Sequence, residues 1–270
     1  MRRLYLLIIV FTIFLSNCNN REPKVIETQN NTFATKTVTY NKSVKTSTVK
    51  LEADYPIAGN RNLTTAIRKY ICEEFGGTYN SNLNRGDLLL NHYGNKIYKE
   101  FENEYISIED NIVIPFEYSH TIKKTEETGN YITYQSDNYE YMGGAHGISS
   151  STGCTFRKSD GLRFSYNMLY NTNKPGFRQL IKKGLISYFR ANGDTITTDD
   201  DLMAILITES DINHLPLPEQ APYLTKGGVV FIYQQYEIAP YSAGMPSFTI
   251  SYSDILPFLT TEGKTYINHK

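Results

Sequence analysis

The 270-residue chain contains no tryptophan, only three cysteines, and almost no net charge, with 27 Lys and Arg against 28 Asp and Glu. Each shortage closes off a class of function. Proteins that bind nucleic acid draw much of their affinity from contacts with phosphate, and a net charge of -1 offers no footprint for it. No nucleic-acid partner is expected. The cysteines stand far apart at Cys18, Cys72 and Cys154, without C-x-x-C or paired Cys/His spacing, so a structural zinc framework is not expected. The chain has no P-loop, no G-x-S-x-G elbow and no H-E-x-x-H motif, and we expect no cofactor and no metal. The N-terminal apolar run, Leu4 to Leu15, is about a dozen residues, short of the ~20 that a membrane-spanning helix needs.

That run carries its own meaning. Arg2 and Arg3 precede it, Thr12 alone breaks it, and Leu15-Ser16-Asn17-Cys18 follows. This is the three-part layout of an export signal. A small or polar pair followed directly by cysteine suits cleavage before Cys18 and acylation of its thiol. Residues 1–18 are therefore expected to be a lipoprotein signal peptide, with the bilayer as partner through acylated Cys18. The location expected is the cell envelope, exposed to the periplasm or the cell surface. An ordinary secretory signal beside a chance cysteine is the alternative. Residues 19–35 are polar and without periodicity, which reads as a flexible tether.

Tyrosine is abundant, 22 residues in all, and serves equally as a rigid contact surface or as half-buried strand packing. Alternation over 37–54 predicts strands. Leu63, Ile67, Ile71 and Phe75 recur at fours, which predicts a helix over 60–75 closed by Gly76-Gly77. A second helix fits 86–105. Strands are predicted over 106–124, 130–142 and 148–157, with a short one at 162–164 after the Asp160-Gly161 turn. Helices follow over 175–189 and 199–207, strands over 228–238 and 247–252, and a last short helix capped by Ser253-Asp254. Clustered strands between helices predict an α+β fold, an antiparallel sheet meander packed by several helices. Cys72 and Cys154 read either as one disulfide or as two separate buried thiols.

Two motifs at strand junctions could carry chemistry. The first is Tyr139-Glu140-Tyr141-Met142-Gly143-Gly144-Ala145-His146-Gly147, in which glycines flank a histidine whose two ring nitrogens can both bond. His146 reads as a general base, a ligand or a contact residue, or as a histidine hydrogen-bonded into a glycine-rich hairpin. The second is Tyr236-Glu237-Ile238-Ala239-Pro240-Tyr241-Ser242-Ala243-Gly244, where Pro240 fixes the backbone. It reads as a binding loop or as a wide connection packed on its tyrosines. The acidic run at Asp194 and Thr198 to Asp201 lacks the calcium-loop pattern and reads as a helix cap.

Together and in this order, these motifs resemble the extracytoplasmic domain family of the lysozyme-sensing anti-sigma factor RsiV and of the N-terminal region of PdaC-type peptidoglycan deacetylases. The resemblance spans 38–259. It implies an N-terminal α+β portion over 36–125 and a C-terminal α+β domain over 126–260. It also implies a non-catalytic envelope binding module, whose ligand is a lysozyme-like protein or a cell-wall or surface glycan. Tyr141, Gly143, Gly144, His146, Tyr236, Glu237 and Tyr241 would contact that ligand. No deacetylase catalytic domain is expected from these motifs, and the hydrolysis of those enzymes is not carried over. The competing expectations are an enzyme on envelope polymers with His146 and Glu237 as acid and base, and a structural assembly lipoprotein.

Overall fold

The computed structural model describes residues 32–107 and 115–267. The export signal, Cys18 and residues 19–31 of the expected tether lie outside them. Strand β1 (Ala34–Val44) folds back on β2 (Ser47–Ala58) as an antiparallel pair, so residues 34–35 belong to a strand rather than to the tether. Helix α1 (Arg61–Glu74) starts at Asn60, whose side chain accepts the backbone N–H groups of Asn62 and Leu63, as an N-cap should. It ends where Gly77 N–H bonds back to Cys72 O, with Gly76 and Gly77 both at positive φ. Helix α2 is Gly86–Ser107.

Strands β3 (Glu117–Glu127), β4 (Tyr131–Tyr141) and β5 (Ile148–Arg157) form the antiparallel meander. The five-stranded sheet, in order β1 to β5, is nevertheless mixed, because β2 and β3 run parallel from Thr48↔Glu117 to Ala53↔Ile122. The reason is the crossover through α1 and α2, which returns the chain in its original direction. The meander was legible and the parallel pair was not.

Helix α3 (Pro175–Ala191) begins on its proline. In α4 (Asp199–Ile205) Thr198 caps the helix and Asp201 closes a capping box by accepting the Thr198 N–H. The Thr197 hydroxyl, then the N–H groups of Thr197 and Thr198, all donating to Asp201, hold its carboxyl well below the usual carboxylate range. Strands β6 (Tyr223–Thr225), β7 (Gly228–Ile232) and β8 (Ser247–Ser251) make a three-stranded antiparallel sheet. Short helices α5 (Tyr252–Ile255) and α6 (Thr261–Lys264) follow. Three readings need correction. β7 stops at Ile232 rather than 238, the strand at 162–164 shrinks to one bridge between Phe156 and Arg163, and Ser251 rather than Ser253 caps α5.

Two cores result. One packs α1 and α2, through Leu63, Ile67, Leu89 and Tyr93, on one face of the five-stranded sheet. The other gathers Phe177, Ile181 and Leu185 of α3 over Phe231 and Ile250. They join across the sheet's second face, where Thr133 and Thr155 share a 2.7 Å hydroxyl bond and together satisfy the N–H and C=O of Leu224. β4 and β5 therefore serve both cores, and the expected division at 125/126 falls inside β3. Neither Cys72 nor Cys154 is in a disulfide. Burial pushes the Cys154 thiol up to about 12.

Candidate functional site

The β4–β5 connection takes its shape from its glycines. Gly143 and Gly144 sit at φ 91° and 94°, a region closed to most side chains, and Tyr141 Oη donates to Gly144 O at 3.0 Å to close the turn. Gly147 is held differently. A Cβ there would lie 2.5 Å from the Tyr139 ring and 2.7 Å from Glu140 O, so only glycine lets that ring lie against the backbone. His146 is left exposed, with Nδ1 3.1 Å from Gly147 O. In the tautomer in which Nδ1 donates this bond, Nε2 is the acceptor.

The second motif is reached through a chain reversal that alternation misread as strand. After β7, Tyr233 is buried and donates its hydroxyl to Pro216 O. Gln234 and Gln235 then turn onto the outer edge of β5, accepting the N–H groups of Ser151 and Ser149. Gln234 also returns a bond to Ser151 O. This side-chain pairing covers an edge that would otherwise be an open template. Tyr236 follows at φ 65°, an outlier for a bulky residue, and 53% of its surface is exposed. Beyond it, Ile238 and Ala239 are buried, Pro240 leads into a single turn over Tyr241–Ala243, and Tyr188 Oη ties down Ala243 O at 2.8 Å.

These two segments meet. The rings of His146 and Tyr241 stack at 3.8 Å between centroids, tilted by 21°. Tyr241 Oη also donates to Gly147 O at 3.1 Å, and Tyr236 lies 5.7 Å from Tyr241. His146, Tyr241 and Tyr236 thus form one row of rings drawn from positions about 90 residues apart. Glu237 is engaged elsewhere. Its two carboxylate oxygens accept the backbone N–H groups of Glu219 and Gln234, each at 2.6 Å, and its charge helps burial raise the Tyr166 and Tyr233 hydroxyls. It fastens the loop base and has no hydrogen bond or ion pair with His146.

Beside the row is a cavity of about 330 Å³ lined by Asn138, Glu140, Met142, His146, Ile148 and Ser150. Sequence reading included Glu140 in the first motif without giving it a role, and missed Asn138, Ser150 and the two glutamines. One signal was available: Ile132 and Tyr134 begin an apolar face of β4 that continues as Ser136, Asn138 and Glu140, polar residues where packing would demand apolar ones. Among the described residues no group of three His, Cys, Asp or Glu side chains could hold a metal ion, and no helix is long and apolar enough to cross a membrane.

Residues 16–149 match the family model of the deacetylase PdaC, and residues 174–253 match a domain family of unknown function, DUF3298. A solved structure of a DUF3298 member from Bacteroides fragilis aligns with a TM-score of 0.68 at 17% identity, covering 86% of this chain and 96% of that one. A DUF3298 protein from Pseudomonas aeruginosa aligns at 0.57 and 16%, with the same coverage. At such identities the likeness is one of fold. No curated protein matches. His146 falls in the first matched region and Tyr241 in the second, so the ring stack joins the two.

Proposed function

Starting from a chain that joins a PdaC-type region to a DUF3298 domain, we propose that it is a non-catalytic binding module of the bacterial cell envelope. Its ligand is a cell-wall or surface glycan, held against His146, Tyr236 and Tyr241. The PdaC match supplies the cell-wall context. Acylation of Cys18 would supply the anchor.

The observation that carries this reading is the stack of His146 on Tyr241, which makes one ring surface of two distant segments beside a concave polar cavity. Flat rings next to a shallow trough with hydroxyl, amide and carboxylate groups suit a sugar, whose faces are apolar and whose edges hydrogen-bond. Glu237 argues against hydrolysis, because both its oxygens already hold backbone N–H groups. A protein ligand of the lysozyme type is the second reading. It is favoured by the exposure of Ile148 at 62%, with Tyr236 and Met142 nearby in the same site.

Binding of the full chain in detergent to soluble peptidoglycan fragments and to lysozyme, followed calorimetrically, tests both. We expect glycan binding that Tyr241→Ala abolishes while the thermal midpoint moves little. A Tyr241→Ala protein that binds glycan as the unmodified chain does would sink the site, and binding to lysozyme alone would select the second reading.

A further inference from the structure

The cavity beside His146 continues. A second cavity of about 240 Å³ shares Glu140 and Met142 with it and extends to α2, where Lys96, Ile97, Glu100 and Tyr118 line it. The strand register explains the shared floor. Tyr118 pairs with Glu140 and Glu140 with Ile148, while Asn138 pairs with Ser150. All five therefore stand on the sheet face that α1 and α2 cover elsewhere. Helix α1 ends before this stretch, at Phe75, which leaves an open trough running from α2 to the ring stack.

Its chemistry is that of an acceptor. Glu100 and Glu140 are exposed, and neither forms an ion pair among the described residues. The Asn138 Oδ1 atom is buried at the trough floor without a hydrogen-bond partner among the described residues, an unsatisfied acceptor that an arriving donor would relieve. The Tyr118 hydroxyl reports the local field: burial and then the charges of Glu140, Glu100 and Glu74 push it up to about 12. Among the described residues, Lys96 is the one lysine or arginine lining either cavity. Glu140 lines both cavities, with Glu100 beside it in one and Asn138 in the other, so the acceptors extend across the pair, which suits a ligand bearing more than one amine.

We propose that this trough recognises a glycan carrying free primary amines, an N-deacetylated hexosamine polymer. Its ammonium groups lie against Glu100, Glu140 and Asn138, and its sugar rings lie along Met142 and the His146–Tyr241 stack. This rests on the glycan reading above and narrows it from glycans in general to amine-bearing ones. Charge-assisted hydrogen bonds supply the selectivity, and salt should weaken it because both glutamates are exposed.

The test is calorimetric titration of the full chain in detergent with glucosamine tetrasaccharide and with its fully N-acetylated counterpart, below neutral pH where the amines are protonated. We expect the amine form to bind about tenfold more tightly, with the preference shrinking as salt rises. Glu140→Gln and Glu100→Gln should each reduce the ratio of the two affinities several-fold; an unchanged ratio in both variants would overturn the amine preference. Both residues are exposed, so these variants should fold as the unmodified chain does. Equal binding of the two saccharides, abolished by Tyr241→Ala, would overturn the amine preference and leave the glycan site standing. Absence of binding by either would overturn both. Displacement by oligolysine at lower concentration than by the amino saccharide would also overturn the proposal, in favour of a basic peptide.

Discussion

The two halves of β4 differ more than any two neighbouring elements. From Tyr131 to Tyr134 every side chain is buried, with one face under α1 and the other against the second core. From Asp137 to Tyr141 no side chain is fully buried, and the face that carried Ile132 and Tyr134 now carries Asn138 and Glu140. A single strand thus passes from scaffold to site with its pairing continuous from Tyr134 to Glu140 on both sides, the one bulge of β3 lying opposite Thr133 and Tyr134. The rigidity that positions the second half comes from packing in the first. Substitutions in the first half should therefore change stability and spare ligand binding, and those around the second half should do the reverse.

The largest effect expected is in the packed half. Tyr134 is fully buried, lies edge-on to Phe156 at 6.3 Å between ring centroids, and donates its hydroxyl to Asp54 O at 2.9 Å. Tyr134→Ala empties that space and leaves the carbonyl without its donor. It should cost about 3–5 kcal/mol, which lowers the thermal midpoint by roughly ten degrees in a chain of this size. Saccharide affinity measured well below that midpoint should remain. A loss of affinity matching the loss of stability would erase the distinction between the halves.

Next comes the boundary between them, where His120 lies. It is buried, stacks edge-on against Phe75 at 4.8 Å, and bonds Ser136 through Nε2 at 2.7 Å and Tyr118 through Nδ1 at 3.3 Å. Burial pushes its pKa down to about 4, against a small opposing pull from Asp137. The unfolded chain therefore binds a proton near the ordinary value of ~6.5, and the folded chain does not. Stability from the neutral imidazole is complete above that value and is lost progressively as pH falls to about 4, by about 3 kcal/mol in all. Urea denaturation across this interval should show the decline, and His120→Gln should flatten it. An equal slope in the variant would place the titration elsewhere. The contrast with His146, which is exposed on Tyr241, separates a histidine of the fold from one of the site.

How much of this was legible in the sequence follows from how local each determinant is. The fours of Leu63, Ile67 and Ile71, the Asn60 cap and the Gly76-Gly77 stop are all written within one helix length, and α1 was read nearly to the residue. The β4–β5 hairpin was equally plain. The parallel join of β2 to β3 was not, since it depends on where two helices deliver the chain and no short window records that. The loop after β7 misled for another reason. Phe231 to Ile238 alternates well enough to pass for strand, and what ends the strand is Gln234 and Gln235 bonding to β5, a partner more than 80 residues away. Both site motifs were visible as motifs. Their union was not, because the contact of His146 with Tyr241 is a product of tertiary packing alone.

The smallest stability effect and the sharpest functional one should coincide at Tyr236. Its backbone is held at φ 65° with more than half of its surface in solvent, so the fold gains little from this ring and bears the strain of its conformation, of order 1–3 kcal/mol. The strain is sustained by the bonds on either side, from Gln234 and Gln235 to β5 and from Glu237 to Gln234 and Glu219. Tyr236→Gly relieves the backbone and adds entropy to the unfolded chain, two terms of opposite sign and similar size, so the thermal midpoint should stay within a few degrees. The same substitution removes the outermost ring of the row beside Tyr241, and saccharide affinity should fall about tenfold. Tyr236→Asn is the control, because asparagine tolerates positive φ without supplying a ring, and it should match the glycine variant in binding. If both variants bind as the unmodified chain does, the strained tyrosine serves the loop rather than the ligand, and the ring surface ends at Tyr241.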